Sequence, residues 1–209
     1  VKASGVWQRP ADRASGAQPP KARTSVDYRP RHNETELLGS LEARTASLVR
    51  VARSHLEQAQ IVAYDTGGYY WAHDDAGQIQ NYRGDERFLM RRHYGHFSRM
   101  LTLFWYLNEV PEGGETNFPR ADTEKPPRTM KACEQGLSVA PRLGTAVLWY
   151  NLDPAGWVDP RALHAACVVK AGKKLAMNIW VRNKPSNSPD AAWDPDHPRL
   201  VALRKKYEL

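Results

Sequence analysis

The sequence contains no run of about 18 or more apolar residues, so nothing in it reads as a membrane-spanning helix. It has only two cysteines, Cys133 and Cys167, which excludes a zinc cluster built on cysteine alone and, at this spacing, a C-x-x-C redox pair. The two thiols are open either to one disulfide in an oxidising compartment or to separate burial. The chain opens at Val1 without a Met and without a signal-like apolar stretch, the pattern of a mature or trimmed polypeptide whose upstream anchor, if any, is out of sight. No long basic block occurs, although 30 Lys and Arg stand against 23 Asp and Glu for a net charge of +7. That excess reads as a solvated basic surface before it reads as a nucleic-acid footprint. An internal repeat, a second domain and the strand–helix alternation of a parallel sheet are also missing.

What is present fits one domain, since 209 residues suffice for a packed core. Residues 1–32 are rich in Pro, Gly, Ser, Ala and Arg and read as an irregular arm. A supporting helical unit is expected over 33–58, with the helix itself over about 34–56. Asn33 and Glu36 form its capping pair, Leu37, Leu41, Leu48 and Ala52 its apolar stripe with Thr45 as the polar interruption, and Gly39 its weak point. Short aliphatic and aromatic runs then follow at 60–64, 101–107, 146–150, 167–169 and 175–181, each bounded by Gly, Pro, Asn or Asp. A helix followed by many short strands predicts a sandwich or barrel with helical support. The polar stretches 76–98 and 118–136 read as long functional loops.

The sharpest local feature is His73-Asp74-Asp75. In a strand, residues two apart share a face, so His73 and Asp75 point at one site while Asp74 points away. One imidazole and one carboxylate need only a second histidine to make the facial triad of non-haem Fe(II) oxygenases, which leaves coordination positions open. His164 lies far downstream, just before a strand-like run, and Lys174 follows it ten residues later at the head of another. A buried cation there suits the distal carboxylate of a keto diacid, although a lone strand lysine is more often a snorkelling surface residue.

At this point the sequence resembles a known family, the prolyl 4-hydroxylases among the Fe(II)/2-oxoglutarate dioxygenases. The stretch from Tyr64 through Gly67 and Tyr70 to His73 and Asp75 is similar to the family's Y-x-x-G-x-x-Y-x-x-H-x-D. Arg99 to Asn108 resembles its R-x-x-T-x-x-x-Y-L-N strand, and Glu112 to Pro119 its E-G-G-E-T-x-F-P segment. Pro141 to Ala146 matches P-x-x-G-x-A, and His164 to Lys174 resembles H-x-G-C-P-V-x-x-G-x-K. Five motifs in the family's order cover residues 64–182, more than half of the chain.

The resemblance implies a mainly β fold with supporting helices: a double-stranded β-helix, or cupin-like jelly roll, over 60–183. A tail follows at 184–209, and the whole of 1–209 makes one catalytic domain. It implies a dioxygenase, an oxidoreductase that hydroxylates peptidyl proline with Fe(II), 2-oxoglutarate, O2 and ascorbate. His73, Asp75 and His164 would hold the iron and Lys174 the cosubstrate carboxylate, with Tyr64 and Thr102 beside that cosubstrate and Tyr70 and Trp180 toward the substrate. Cys133 and Cys167 lie where the family often carries cysteine, which implies a disulfide. Arg23-Thr24-Ser25 resembles a segment that follows the family's first strand and helix, so these elements are expected upstream of Val1. The run Ala146 to Asn151, with Gly156-Trp157-Val158 beyond it, looks closest to the transmembrane endoplasmic-reticulum branch. Lys206-Tyr207-Glu208-Leu209 resembles a K-D-E-L retrieval signal, which points to the endoplasmic-reticulum lumen. Departures from the family pattern are Ala166 for Gly, Val168 for Pro and Leu175 for Trp, none of which removes a ligand.

Two rival readings remain. A nucleic-acid demethylase of the same superfamily would suit the positive charge, but such enzymes usually anchor 2-oxoglutarate with Arg, so no nucleic-acid partner is expected. A catalytically silent peptide-binding subunit would have no reason to keep the complete ligand set.

Overall fold

The structure is a computed structural model that describes residues 22–76, 99–122, 129, 133–154 and 158–185. The expected loop at 76–98, except Ala76, and the tail from 186 onward, with its Lys206–Leu209 tetrapeptide, lie outside the described residues, as does Trp157.

Among the described residues, eleven strands and one α-helix are arranged as a jelly roll. The strands are β1 (Val26–Tyr28), β2 (Gln60–Tyr64), β3 (Tyr70–His73), β4 (Arg99–Tyr106), β5 (Glu112–Gly113), β6 (Thr116–Phe118), β7 (Leu137–Val139), β8 (Ala146–Tyr150), β9 (His164–Ala166), β10 (Val169–Ala171) and β11 (Lys174–Arg182). A five-stranded antiparallel sheet has the order β1-β2-β11-β4-β8, and a four-stranded one the order β3-β9-β6-β7. The pair β10-β5 forms a small ribbon.

Alternation along the large sheet explains the architecture, because successive side chains go to opposite faces. Register places Lys174 opposite Tyr64, Ala176 opposite Val62 and Tyr106, and Trp180 opposite Thr102. One face thus carries Val62, Tyr64, Phe104, Tyr106, Trp149 and Ala176, which pack with Phe118 of the smaller sheet. The intervening residues Leu101, Met177, Ile179 and Val181 pack instead with Leu38 and Ala46 of the helix α1 (Glu36–Val49). Both faces of β4 and β11 are therefore covered, and that is why these strands read as nearly continuous apolar runs.

Several expectations are corrected. The arm at 1–32 is not irregular throughout: Val26, Asp27 and Tyr28 pair with Ala63, Val62 and Ile61 as an edge strand. The helix ends at Val49, not near residue 56, because Arg50 adopts a left-handed conformation (φ 56°) and its N–H returns to the Ala46 and Ser47 carbonyls. Its cap is Thr35, whose hydroxyl accepts from the Leu38 N–H at 3.1 Å, and not Asn33. The buried stripe is rotated by about one residue from the expected one: Leu38, Glu42, Thr45 and Ala46 face inward while Leu37 and Leu48 are exposed. Glu42 is tolerated inside because His32 and Arg53 reach it at 2.8 and 2.6 Å. Gly39 is required by a close approach, since a Cβ there would sit 2.8 Å from the Asn33 side chain. No strand covers 167–169; the chain leaves one sheet at Ala166 and joins the ribbon at Val169.

At that crossing Cys167 is bonded to Cys133, with Cα atoms 5.9 Å apart and a separation of 34 positions in sequence. Cys133 also packs against Ala72, Leu163 and Ala165. The bond removes conformations from the unfolded chain, a contribution of about 3–4 kcal/mol for a loop of this length. A Cys133→Ser, Cys167→Ser protein should lose about that much stability in urea unfolding; an unchanged midpoint would show that the bond does not form in solution.

Candidate metal centre and cleft

Strands β3 and β9 are neighbours in the smaller sheet, and their register sets His73 directly opposite His164. Asp75 lies just beyond the end of β3, where the chain bends. Asp75 Oδ1 is 4.0 Å from His73 Nε2 and Oδ2 is 3.7 Å from His164 Nε2. One donor atom from each residue falls within 4.8 Å of the others, a triangle that fits a single ion. Each histidine has its Nδ1 against the carbonyl two residues before it: Trp71 O at 2.8 Å for His73 and Ala162 O at 2.9 Å for His164. Donation from Nδ1–H leaves both Nε2 lone pairs facing inward, the tautomer a metal needs. Burial and the nearby His164 hold His73 far below the usual imidazole range, at about 3. Burial pushes Asp75 up, but the two histidines, Arg99 and Thr102 outweigh it, and the carboxyl is held at about 2. Neutral imidazole and ionised carboxylate are the forms that bind a cation.

Asp74 does not turn out to solvent as the strand period predicts. It is buried and lines the same cleft, yet its carboxylate is not part of the clustered donor set. A bulge causes the second departure from simple alternation. Tyr70 pairs with Ala166 and His73 with His164, so β3 carries one more residue than β9 between these pairs. Two residues at odd spacing, which an even strand would send to opposite faces, therefore meet: the Tyr70 ring stacks on His73 with centroids 3.7 Å apart.

Thr102 was expected beside the cosubstrate; in the structure it is bonded to Asp75, the carboxylate of the candidate triad. Its hydroxyl donates to Asp75 Oδ2 at 2.6 Å and accepts from Asn151 Nδ2 at 2.9 Å. Asn151 Oδ1 in turn accepts from Trp149 Nε1 at 2.9 Å. Indole nitrogen can only donate, which fixes the amide of Asn151, and that fixes the single proton of Thr102 on Asp75. Asn151 was missed in the sequence; the signal was a polar residue two positions after Trp149, buried at a strand end. Thr102→Val should weaken metal affinity by about 10–100-fold while leaving the fold intact. Titration with Co(II), read by its absorption bands, checks this, and an unchanged affinity would make the chain of bonds purely structural.

Lys174 is fully buried, its ammonium 2.6 Å from the Gly114 carbonyl and within 5.3–5.8 Å of the Tyr64, Phe104 and Tyr106 rings. Among the described residues it forms no ion pair, and burial pushes it down to about 7. Glycine serves this contact, since Gly113 and Gly114 both have positive φ and a Cβ on Gly113 would lie 2.3 Å from the Val168 carbonyl. Lys174 itself does not line the cleft; Tyr64 and Phe104, two of the rings around it, do. A buried cation that forms no ion pair among the described residues, packed beside two rings of the cleft wall, suits a carboxylate-bearing cosubstrate.

Tyr70 and Trp180 line the cleft as expected. Trp105 packs on the helix side of the sheet, and Trp71 does not line the cleft. Sequence reasoning overlooked three arginines, Arg23, Arg29 and Arg99, that also line it.

The arrangement has counterparts among known proteins. A family model described as the 2OG-Fe(II) oxygenase superfamily matches residues 59–182. The human transmembrane prolyl 4-hydroxylase is 31% identical over 190 residues, covering 79% of this chain and 38% of its own length. Prolyl 4-hydroxylase 13 of Arabidopsis thaliana is 32% identical over 177 residues, covering 78% of this chain and 58% of its length. The chain thus spans between about a third and three fifths of these relatives. A viral collagen prolyl hydroxylase from Paramecium bursaria Chlorella virus-1, solved in complex with 2OG, superposes with a TM-score of 0.59 at 26% identity, covering 78% of this chain and 81% of that one. With more than half of its residues inside the family model, the chain belongs to the 2OG-Fe(II) oxygenase superfamily.

Proposed function

We propose that this chain is a prolyl 4-hydroxylase: an Fe(II)- and 2-oxoglutarate-dependent dioxygenase that hydroxylates proline in a polypeptide, with ascorbate as supporting reductant. The observation that carries the reading is the triangle of His73, Asp75 and His164 at the head of a cleft, in a chain whose relatives bear that name. Iron with 2-oxoglutarate and O2 would supply the oxidising power: one oxygen atom goes into the C–H bond, the other into succinate, and CO2 is released.

The rest is the work of this chain's side chains. His73 and His164 present Nε2 because their Nδ1 atoms are held by backbone carbonyls. Thr102 fixes the rotation of Asp75. Three protein ligands leave room for a chelating keto acid and for O2. Lys174 offers the charge for the far carboxylate, beside the rings of Tyr64 and Phe104 that line the cleft. Tyr70 and Trp180 line the cleft that would take a proline ring, whose fixed φ presents its carbon with little ordering cost. No acid–base residue is needed at the reacting carbon.

Incubation of proline-containing peptides with the protein, iron, ascorbate and 2-oxoglutarate tests the reading. The expected result is succinate release matched by an added oxygen on proline. Succinate with the oxygen on another residue would keep the oxygenase and discard proline; no succinate would favour the silent peptide-binding subunit. Residence in the endoplasmic-reticulum lumen is part of the proposal. The Cys133–Cys167 bond supports it.

No helix among the described residues is long and apolar enough to cross a membrane.

A further inference from the structure

The arginines along the cleft are unevenly balanced. Arg99 holds Glu57 through Nε and Nη2 at 2.8 and 2.9 Å, and Arg182 shares the same carboxylate at 3.0 Å. Two guanidiniums therefore divide one acid. Arg29 has Asp27 at 3.9 Å, beyond hydrogen-bond reach, and Asp27 already accepts from Gln60. Its side chain is 43% exposed, the open end of the group. Both guanidiniums lie against one indole, Arg99 at 3.6 Å and Arg29 at 5.4 Å from the Trp180 ring centre. The Trp180 N–H is itself buried with no hydrogen-bond partner. Burial and the repulsion of Arg99 hold the Arg29 pKa below its ordinary value, as expected where positive charge is incompletely offset. Asp74 and Asp75 line the same cleft, but Asp75 is committed to the metal triangle. A neutral proline-rich strand would offer the open end of Arg29 no partner.

We propose that Arg29 and Arg99, set about Trp180, form an anion subsite that takes a carboxylate or phosphate group carried by the polypeptide close to the reacting proline. The inference rests on the polypeptide-hydroxylation reading and narrows it: the substrate is acidic near its target. Arg29 carries the selectivity, because Arg99 is already held by Glu57 while the Arg29 donors are open to the ligand. Solvent at the exposed end weakens the pair, so the effect belongs at the lower part of the charged hydrogen-bond range, roughly tenfold in binding.

The test walks one glutamate through the positions flanking proline in an otherwise neutral peptide, with glutamine, lysine and phosphoserine as alternatives at each position. At one position kcat/KM for glutamate should exceed that for glutamine by roughly tenfold and fall toward parity at high salt. Arg29→Glu should reverse the order, so that lysine is preferred there, with metal binding and circular dichroism retained as evidence of folding. A phosphoserine peptide better than the glutamate peptide would identify phosphate as the natural group, and the opposite order a carboxylate. Equal kcat/KM for glutamate and glutamine at every position would overturn the subsite while leaving proline hydroxylation standing. If no peptide is turned over, the hydroxylase reading fails first. Fluorescence anisotropy of the same labelled peptides then decides the subsite, and equal affinities at low salt would remove it.

Discussion

Replacing Asp75 with alanine should abolish ferrous-iron binding, whereas the same change at Asp74 should leave it within a few-fold. The two residues are adjacent, of one chemistry, and both line the cleft, so composition cannot separate them. Position does. Asp75 places one oxygen 4.0 Å from His73 Nε2 and the other 3.7 Å from His164 Nε2, the spacing of ligands around one ion. Its carboxyl, held at about 2, is ionised throughout the working range. Without it, two neutral imidazoles remain; they offer no charge to a hard divalent cation, and the buried Thr102 hydroxyl loses its acceptor. Calorimetric titration of anaerobic Fe(II) into both variants reads the result directly. Loss of binding in Asp74→Ala with retention in Asp75→Ala would assign the carboxylate to the wrong neighbour.

Lys174→Met, which keeps the length of the side chain but not its charge, should raise the 2-oxoglutarate concentration needed for half-saturation by one to two decades. A charge-assisted hydrogen bond of roughly 1.5–3 kcal/mol gives that factor at about 1.4 kcal/mol per decade. The pH dependence follows from the same burial. The ammonium of the ligand-free protein titrates at about 7, and the cosubstrate needs it charged. Affinity should therefore be flat below about pH 7 and decline above it by about tenfold per pH unit, with a proton taken up on binding. That decline ends where the ligand-bound ammonium itself begins to lose its proton. Measuring the dissociation constant across this range checks the sign, and the methionine variant should show no such slope. An unchanged requirement in Lys174→Met would mean that another cation anchors the carboxylate.

Much of the fold was legible because strands covered on both faces announce themselves as apolar runs. The limits of β2 and β8 agree with the sequence reading residue for residue, and β4 and β11 to within two. The helix was harder. Its inward face includes Glu42, which a hydrophobic stripe cannot reveal, since its burial depends on His32 and Arg53. Edge strand β1 hid in a polar arm because only three residues pair. At the site, the histidines, Asp75 and Lys174 were visible as a motif. The Thr102–Asn151–Trp149 chain was not, because Thr102 lies 47 residues before Trp149 and meets the other two only through the β4–β8 pairing. The arginine wall escaped for the same reason: Arg29 and Arg99 share a surface only after β1 and β4 join one sheet.

The two faces of β11 have a consequence for how this chain can change over generations. Lys174, Ala176, Asn178 and Trp180 belong to the chemistry, while Leu175, Met177, Ile179 and Val181 belong to the helix side. Loss or gain of a single codon inside the strand would exchange the two sets wholesale, sending the lysine toward the helix and an aliphatic residue into the cleft. A change of two codons would move each residue along the sheet but keep it on its own side. Length variation in this strand is thus expected to survive only in even steps.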